Sequence, residues 1–149
     1  MDSSKGNKNS IHKAVVTWDE KNKSFLCSVG NKTIKVAASL GSKTHDDMLT
    51  PEELFVDSIE GFIKDTFMDA AKRNKIEVLS YESEGRGFVN KVENKLMFTE
   101  IKIRPQIVVM TKSQAEKAKE LIELVGKNFA IASLITCKII IYPEIKIGL

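Results

Sequence analysis

Hydrophobic and polar positions alternate in three short stretches near the start of the chain. They are His12–Trp18, Ser24–Val29 and Thr33–Ser39, and each is rich in residues that favour strands. The polar segment DEKNK separates the first two stretches, and Gly30-Asn31 separates the second from the third. The pattern predicts a three-stranded β-meander.

A long helix is predicted to follow. Thr50 is a suitable N-cap, Pro51 fits the first helical position, and Glu53 completes a capping box. Apolar residues then recur at spacings of three and four, the period of one helix face; they are Phe55, Ile59, Phe62, Ile63, Phe67, Ala70 and Ala71. Gly61 lies within this helix, where glycine costs up to about 1 kcal/mol relative to alanine. We therefore expect a close approach of another element at Gly61.

The next segment predicts two strands. Residues 76–85 alternate in the manner of a strand, residues 84–87 (EGRG) are predicted to be a turn, and residues 96–110 predict a longer strand. Pro105 indicates an edge position or a break in that longer strand.

The last part of the chain predicts a second helix and a closing strand. A capping box from Ser113 to Glu116 opens the helix and Gly126 is its expected C-cap. Residues 127–134 favour a short further helix, and residues 137–147 favour a strand. The predicted order is βββ-α-ββ-α(α)-β, an α+β fold, with a flexible polar tail over residues 1–10 and a single domain over residues 11–149.

Composition excludes several classes of function. The net charge of +3 comes from lysines scattered along all 149 residues. Because they form no basic block with aromatic residues interleaved, nucleic-acid binding is not expected. No apolar run reaches the roughly 20 residues that span a bilayer, and the N-terminus lacks the apolar core of a secretory signal. Cys27 and Cys137 lie far apart, which fits a reducing cytoplasm. We expect a cytoplasmic protein without a membrane partner.

Several motifs, taken in order, resemble one family. They are TPEELF, the glycine eleven residues after Thr50, FTEIKIRPQIVV, the AEKAKELIE helix, and KNFAIAS before a strand with PEI. Together they resemble the OsmC/Ohr family, the osmotically induced and organic hydroperoxide resistance proteins. The resemblance implies an intertwined homodimer with sites between the chains, in which the N-terminal β-meander and long central helices wrap around each other.

The resemblance also implies a thiol peroxidase chemistry. In the family a reactive cysteine attacks a peroxide and becomes a sulfenic acid, and a second cysteine then forms a disulfide with it. Glu52 matches the family's orienting carboxylate. Phe62 stands at the position of the reactive cysteine, Phe129 stands at the position of the second cysteine, and no arginine precedes Arg73. This chain therefore lacks the two sulfur atoms and the N-terminal arginine that the family's reaction uses.

We predict a stress-response protein of OsmC type that has no peroxidase activity and that acts as a binding or scaffold protein for an apolar small molecule. The pocket for this molecule would be lined by Glu52, Phe62 and Phe129. One alternative is an organic hydroperoxide reductase that uses Cys27 or Cys137, although both thiols favour an interpretation as buried structural residues. Another is a non-catalytic partner of a cysteine-bearing paralogue.

Simpler interpretations of the same residues stay open. Phe62 and Phe129 would equally fill a core, and Glu52 would equally favour the helix dipole as a first-turn carboxylate. His45, Asp46 and Asp47 favour a solvated loop over a metal site, because His12 is the one other histidine. No cofactor is expected.

Overall fold

The computed structural model describes residues 10–21, 24–37, 48–129 and 132–148. The chain divides into two compact units, Met1–Pro51 and Glu52–Leu149. The predicted tail over residues 1–10 lies almost wholly outside the described residues, so the division into a tail and a single domain stays a prediction. Among the described residues, no helix combines the length and apolar character that crossing a membrane requires.

The first unit contains the predicted β-meander. Strands β1 (Val15–Asp19), β2 (Ser24–Val29) and β3 (Lys32–Ala37) form an antiparallel sheet in chain order. A two-residue turn joins β2 to β3, with Val29 opposite Lys32, and Gly30 adopts φ +61° at its first position. Glycine is favoured there because this turn requires a positive φ.

The second unit is a four-stranded sheet with two helices. Its elements are α1 (Pro51–Arg73), β4 (Val78–Val92), β5 (Lys95–Val109), α2 (Lys112–Val125), a 3-10 turn (Ala132–Leu134), β6 (Lys138–Ile141) and β7 (Glu144–Ile147). Strand β5 is central: β4 pairs with it antiparallel on one side, and β6 and then β7 pair with it in parallel on the other. The α+β prediction is confirmed.

The core lies between the helices and one face of this sheet. Alternate residues of β5 are buried, as the two-residue period of a strand requires, and the predicted face of α1 and one face of α2 cover them. The buried residues are Ile59, Ile63, Phe67 and Ala71 of α1, Ile101, Ile103, Ile107 and Val109 of β5, and Ala118, Ile122 and Val125 of α2. The predicted apolar face of α1 therefore faces the core, with the exception of Phe62, whose side chain is exposed.

The prediction of a turn at residues 84–87 is wrong. Strand β4 continues through them, and Gly85 and Gly87 pair with Ile103 and Ile101 of β5. A Cβ atom at Gly87 would lie 2.6 Å from Cε1 of Phe98 and 2.8 Å from Cγ2 of Val56. The two glycines are needed because α1 packs closely on the sheet, not because the chain reverses there.

The chain instead reverses at Glu93 and Asn94. Both have positive φ angles, 47° and 68°, and Val92 pairs with Lys95 across them. Two successive left-handed residues define a type I′ hairpin, whose twist matches that of the flanking strands.

Pro105 neither ends β5 nor places it at an edge. Alternate residues of a strand direct their backbone groups to the same side, and the Ile103 carbonyl accepts from the Tyr142 N–H at 2.8 Å. Pro105 therefore faces the side of β6 and β7, at the gap between the two strands, where its missing N–H removes no ladder bond. The same gap divides the predicted closing strand at Tyr142-Pro143 into two.

The second helix begins earlier than predicted. Thr111, not Ser113, is the N-cap, and its side chain accepts from the Gln114 N–H at 3.2 Å. Gly126 is the C-cap as predicted, but with φ −60°. Its small size matters more than its flexibility, because a Cβ there would lie 2.2 Å from Cδ1 of Ile141. The further helix predicted for residues 127–134 is, within its described part, the 3-10 turn.

Candidate functional site

The structure places the three predicted site residues in different surroundings. Phe129 is 3% exposed and belongs to the core cluster with Ile59 and Ile63. Phe62 lies on the uncovered side of α1 and is 38% exposed. Glu52 lies in the first turn of α1 and is partly buried. The core interpretation therefore applies to Phe129 but not to Phe62 in a single chain.

One chain does not bring Glu52 and Phe62 to the same small ligand. The two residues are ten positions apart on α1, and an α-helix rises about 1.5 Å per residue, which separates them by about 15 Å along the axis. Phe62 is also absent from the described core cluster that contains Phe129. A pocket lined by Glu52, Phe62 and Phe129 stays a prediction.

Glu52 lies at a cleft between the start of α1 and the glycine-containing part of β4. The cleft has a volume of about 240 Å³, and its lining residues are Glu52, Glu53, Val56, Asp57, Gly85, Gly87, Val89 and Phe98. Because Gly85 and Gly87 carry no side chains, the helix can approach the strand while leaving this space open. The result is an apolar floor with a carboxylate rim.

Further along α1, a carboxylate is held in a half-buried polar corner. The Ser83 hydroxyl donates to Oε1 of Glu60 at 2.5 Å. Burial raises the pKa of Glu60, and the negative charges of Asp57 and Glu84 raise it further, whereas the Ser83 hydrogen bond lowers it. Glu60 therefore takes up a proton more readily than an exposed glutamate.

Tyr81 lies beside this corner. Burial and the nearby Glu60 charge raise the pKa of Tyr81 to about 12. Its hydroxyl is buried, and the nearby Ser83 hydroxyl offsets part of the rise in its pKa. The corner therefore disfavours negative charge, and Tyr81 remains a neutral phenol at physiological pH.

A second, apolar groove lies beside the hairpin and the segment that precedes β6. It has a volume of about 190 Å³, and its lining residues are Phe55, Met97, Phe98, Leu134, Ile135, Thr136 and Cys137. We call this set the apolar groove. The rings of Phe55 and Phe98 are 4.9 Å apart and tilted by 49°. Several of its residues pack against the core cluster that contains Phe129, so the apolar groove is continuous with the core.

Neither cysteine is fully buried, which corrects the expectation of two buried thiols. Cys27 lies in β2 opposite Val16 and Ile34 and is partly exposed, as is Cys137. Burial nevertheless raises the pKa of the Cys137 thiol. A hydrogen bond with the backbone of Cys137 itself offsets part of this rise. Because the thiolate is the reactive form, Cys137 is a weak nucleophile at neutral pH.

A metal site is not found within the described residues, where no three histidine, cysteine or acidic side chains come together in a suitable arrangement. His45, Asp46 and Asp47, which were predicted to form a solvated loop, lie outside the described residues.

The sequence reasoning missed Gly85, Gly87 and Phe98. Two glycines separated by one residue lie on the same face of a strand, and this spacing in an alternating segment is the signal of a close backbone approach. Phe98 was recognised as a strand residue, but its place between the cleft and the apolar groove depends on the pairing of β4 with β5.

Comparison with known proteins gives a match in structure alone. No protein-family model matches the chain, and no curated protein matches it. An OsmC-like protein of unknown function from Vibrio cholerae superposes with a TM-score of 0.81 at 22% identity, over 91% of this chain and 99% of that one. An OsmC-like protein from Mycoplasma pneumoniae gives 0.78 at 14% identity, over 93% and 99%.

An organic hydroperoxide resistance protein from Elizabethkingia anophelis gives a TM-score of 0.71 at 17% identity, over 96% of this chain and 100% of that one. These similarities cover nearly the whole chain. They show that it has the OsmC-like fold, as the sequence motifs indicated.

Proposed function

We propose that this chain is a member of the OsmC/Ohr family without thiol peroxidase activity, and that it binds an apolar small molecule in the apolar groove. Support comes from the fold, from Phe62 and Phe129 at the family's cysteine positions, and from the composition of the groove. A role in the stress response and a cytoplasmic location belong to the same proposal, because the family resemblance and the cysteine content favour them.

The observation that carries the proposal is the environment of Cys137. It is the one sulfhydryl that lines the apolar groove among the described residues, and burial raises its pKa. A ligand in the groove would thus meet carbon surfaces and a protonated thiol. Binding pockets for small molecules are typically apolar with a few polar groups, and Thr136 and Cys137 supply such groups here.

The absence of peroxidase activity is tested with cumene hydroperoxide and a dithiol reductant. We expect peroxide loss at the rate of the reductant alone, for the wild type and for Cys27→Ser and Cys137→Ser alike. Catalytic peroxide consumption that Cys137→Ser or Cys27→Ser abolishes would overturn this part of the proposal.

Binding is tested separately with cumyl alcohol, the unreactive reduced form of the same compound, by NMR titration. We expect shifts at Phe98, Ile135 and Cys137. Met97→Trp should fill the groove and abolish them. Leu96→Trp is the matched control, because Leu96 precedes Met97 in β5, is 62% exposed and does not line the groove. Equal binding to both variants would show that the groove is not the site.

A homodimer is part of the proposal, and the uncovered side of α1 supports it. Phe62 is exposed, and among the described residues no atom other than those of the adjacent residues and the backbone of α1 lies within 4 Å of the position of a Cβ at Gly61. Within the described chain nothing makes a glycine necessary there, whereas a second helix crossing at Gly61 would. The separation of Glu52 from Phe62 along α1 also favours a site that lies between two chains.

Light scattering tests the dimer. We expect a mass of twice 16.7 kDa for the wild type and a shift toward the monomer for Phe62→Glu. Lys64→Glu is the control, because Lys64 is exposed on the same helix and changes its charge without removing an apolar side chain. A wild-type monomer at micromolar concentration would contradict the dimer.

A second candidate function is hydroperoxide reduction through Cys137, favoured by the position of this thiol in the apolar groove. The thiolate would attack the peroxide, the O–O bond would break to release the alcohol, and the sulfur would become a sulfenic acid that a dithiol reduces. The raised pKa of Cys137 argues against it, and the peroxide assay above decides between the two.

A further inference from the structure

A groove runs along the free edge of β6. Its lining residues are Glu123, Gly126, Lys127 and Lys138–Ile141, and its volume is about 360 Å³. We call this set the edge groove. It is separate from the apolar groove, since no residue lines both.

One wall of the edge groove is a strand edge with unused backbone groups. Strand β6 pairs with β5 and with no other described strand. The Tyr142 N–H donates to the Ile103 carbonyl at 2.8 Å, so even-numbered residues of this segment turn their backbone groups toward β5. The N–H and C=O groups of Ile139 and Ile141 therefore point away from the sheet, because these groups alternate along a strand.

The other wall is the last turn of α2. Gly126 allows this turn to lie directly against β6, because a Cβ atom there would overlap the Ile141 side chain. A strand edge beside a helix is the geometry in which recognition domains accept an extended peptide as an added strand. Main-chain hydrogen bonds then hold the peptide, and the helix limits where its side chains can lie.

The charges favour an acidic occupant. Lys127 and Lys138 line the edge groove, and neither forms an ion pair within the described residues. Glu123 contributes one negative charge, so the lining has a net charge of +1. A second copy of the chain would bring the same positive excess to this edge, and short strands that carry lysine disfavour edge-to-edge pairing.

We propose that the edge groove binds an extended, acidic and otherwise apolar segment of a partner protein, which adds to the sheet as a strand beside β6. Its backbone pairs with Ile139 and Ile141, and its carboxylates lie near Lys127 and Lys138. The proposal is independent of ligand binding in the apolar groove and of peroxidase activity.

Hydrogen exchange measured by NMR on the full chain tests the strand addition. The probe is a short capped peptide of alternating valine and glutamate at millimolar concentration, and the control peptide alternates valine and lysine. We expect the amides of Ile139 and Ile141 to gain protection with the glutamate peptide. The Ile140 amide, which already faces β5, should not change. Absence of this alternation overturns the proposal.

Charge-reversed variants test the choice of occupant. The double variant Lys127→Glu, Lys138→Glu should bind the glutamate peptide more weakly and the lysine peptide more tightly than the wild type does. High salt should reduce both of these changes in affinity. Lys119→Glu is the control, because Lys119 is exposed on α2 and does not line the edge groove. Unchanged preference in the double variant would overturn the proposal. Protection of Ile139 and Ile141 that rises with protein concentration, without peptide, would overturn it in favour of a second copy.

Discussion

The two glycines of β4 provide a direct test of how α1 packs on the sheet. In the variant Gly87→Ala, the new Cβ atom would lie 2.6 Å from Cε1 of Phe98 and 2.8 Å from Cγ2 of Val56. Carbon atoms in van der Waals contact prefer about 3.5–4.0 Å. The Phe98 ring lies 4.9 Å from the Phe55 ring, centroid to centroid, so a shift of Phe98 away from the new methyl group would disturb this ring pair.

The magnitude follows from two opposing effects. Extra methyl groups in a packed region typically cost about 1–3 kcal/mol. Replacement of glycine also removes conformational entropy from the unfolded chain, which stabilises by about 0.4–1 kcal/mol. We therefore expect Gly87→Ala to lower the free energy of unfolding by about 1–2 kcal/mol, which corresponds to a fall in Tm of about 2–4 °C per kcal/mol for a chain of this size.

Urea unfolding followed by far-UV circular dichroism measures the change. Arg86→Ala is the matched control, since Arg86 is the neighbour of Gly87 in β4 and its side chain is exposed. Val56→Ala combined with Gly87→Ala should recover part of the loss, because it removes one of the two side chains that the new methyl group would meet, while the contact with Phe98 remains. A double-mutant cycle with the single variants isolates this coupling.

The result that would refute the reasoning is a stable Gly87→Ala protein. If this variant were neutral or stabilising and showed no coupling to Val56→Ala, the approach of α1 to β4 would be looser than the structure has it. The cleft at Glu52 would then lack the close contact that defines its floor.

Three other predictions concern single groups. Thr111→Ala should lower the free energy of unfolding by about 1 kcal/mol, as the loss of an N-cap does, whereas Ser113→Ala should change it little; equal effects in urea unfolding would contradict the assigned cap. Glu60→Gln should stabilise at neutral pH and less so toward pH 4.5, because a carboxyl whose folded pKa is raised above 4.5 penalises the folded state most when it is ionised. A pH–stability profile of wild type and variant with a constant difference would contradict this. Tyr81, with a pKa raised to about 12, should lower the free energy of unfolding as pH rises from 10 to 12, because the phenol ionises in the unfolded chain before it does in the folded one. Absorbance titration should show one of the two tyrosines ionising late, and Tyr81→Phe should remove that late step.

The sequence by itself determined most of the element types and the buried face of α1. The spacing of Ile59, Ile63 and Phe67 identified the buried side of α1 because helix periodicity is a local property. The β-meander, the start of α1 at Pro51 and the C-cap at Gly126 were found for the same reason. Local hydrogen bonding and side-chain entropy act between neighbours in sequence, so a single sequence contains this information.

The tertiary structure decided the meaning of the glycines and the proline. From the sequence, Gly85 and Gly87 predicted a turn, whereas the structure shows that contact with Val56 leaves no space for a side chain there. Pro105 predicted a strand edge or a break, whereas in the structure it lies at the gap between β6 and β7. The exposure of Phe62 and the burial of Phe129 were equally inaccessible, since both follow apolar patterns. Such outcomes depend on steric contacts between residues that are distant in sequence, and these contacts exist only in the tertiary structure.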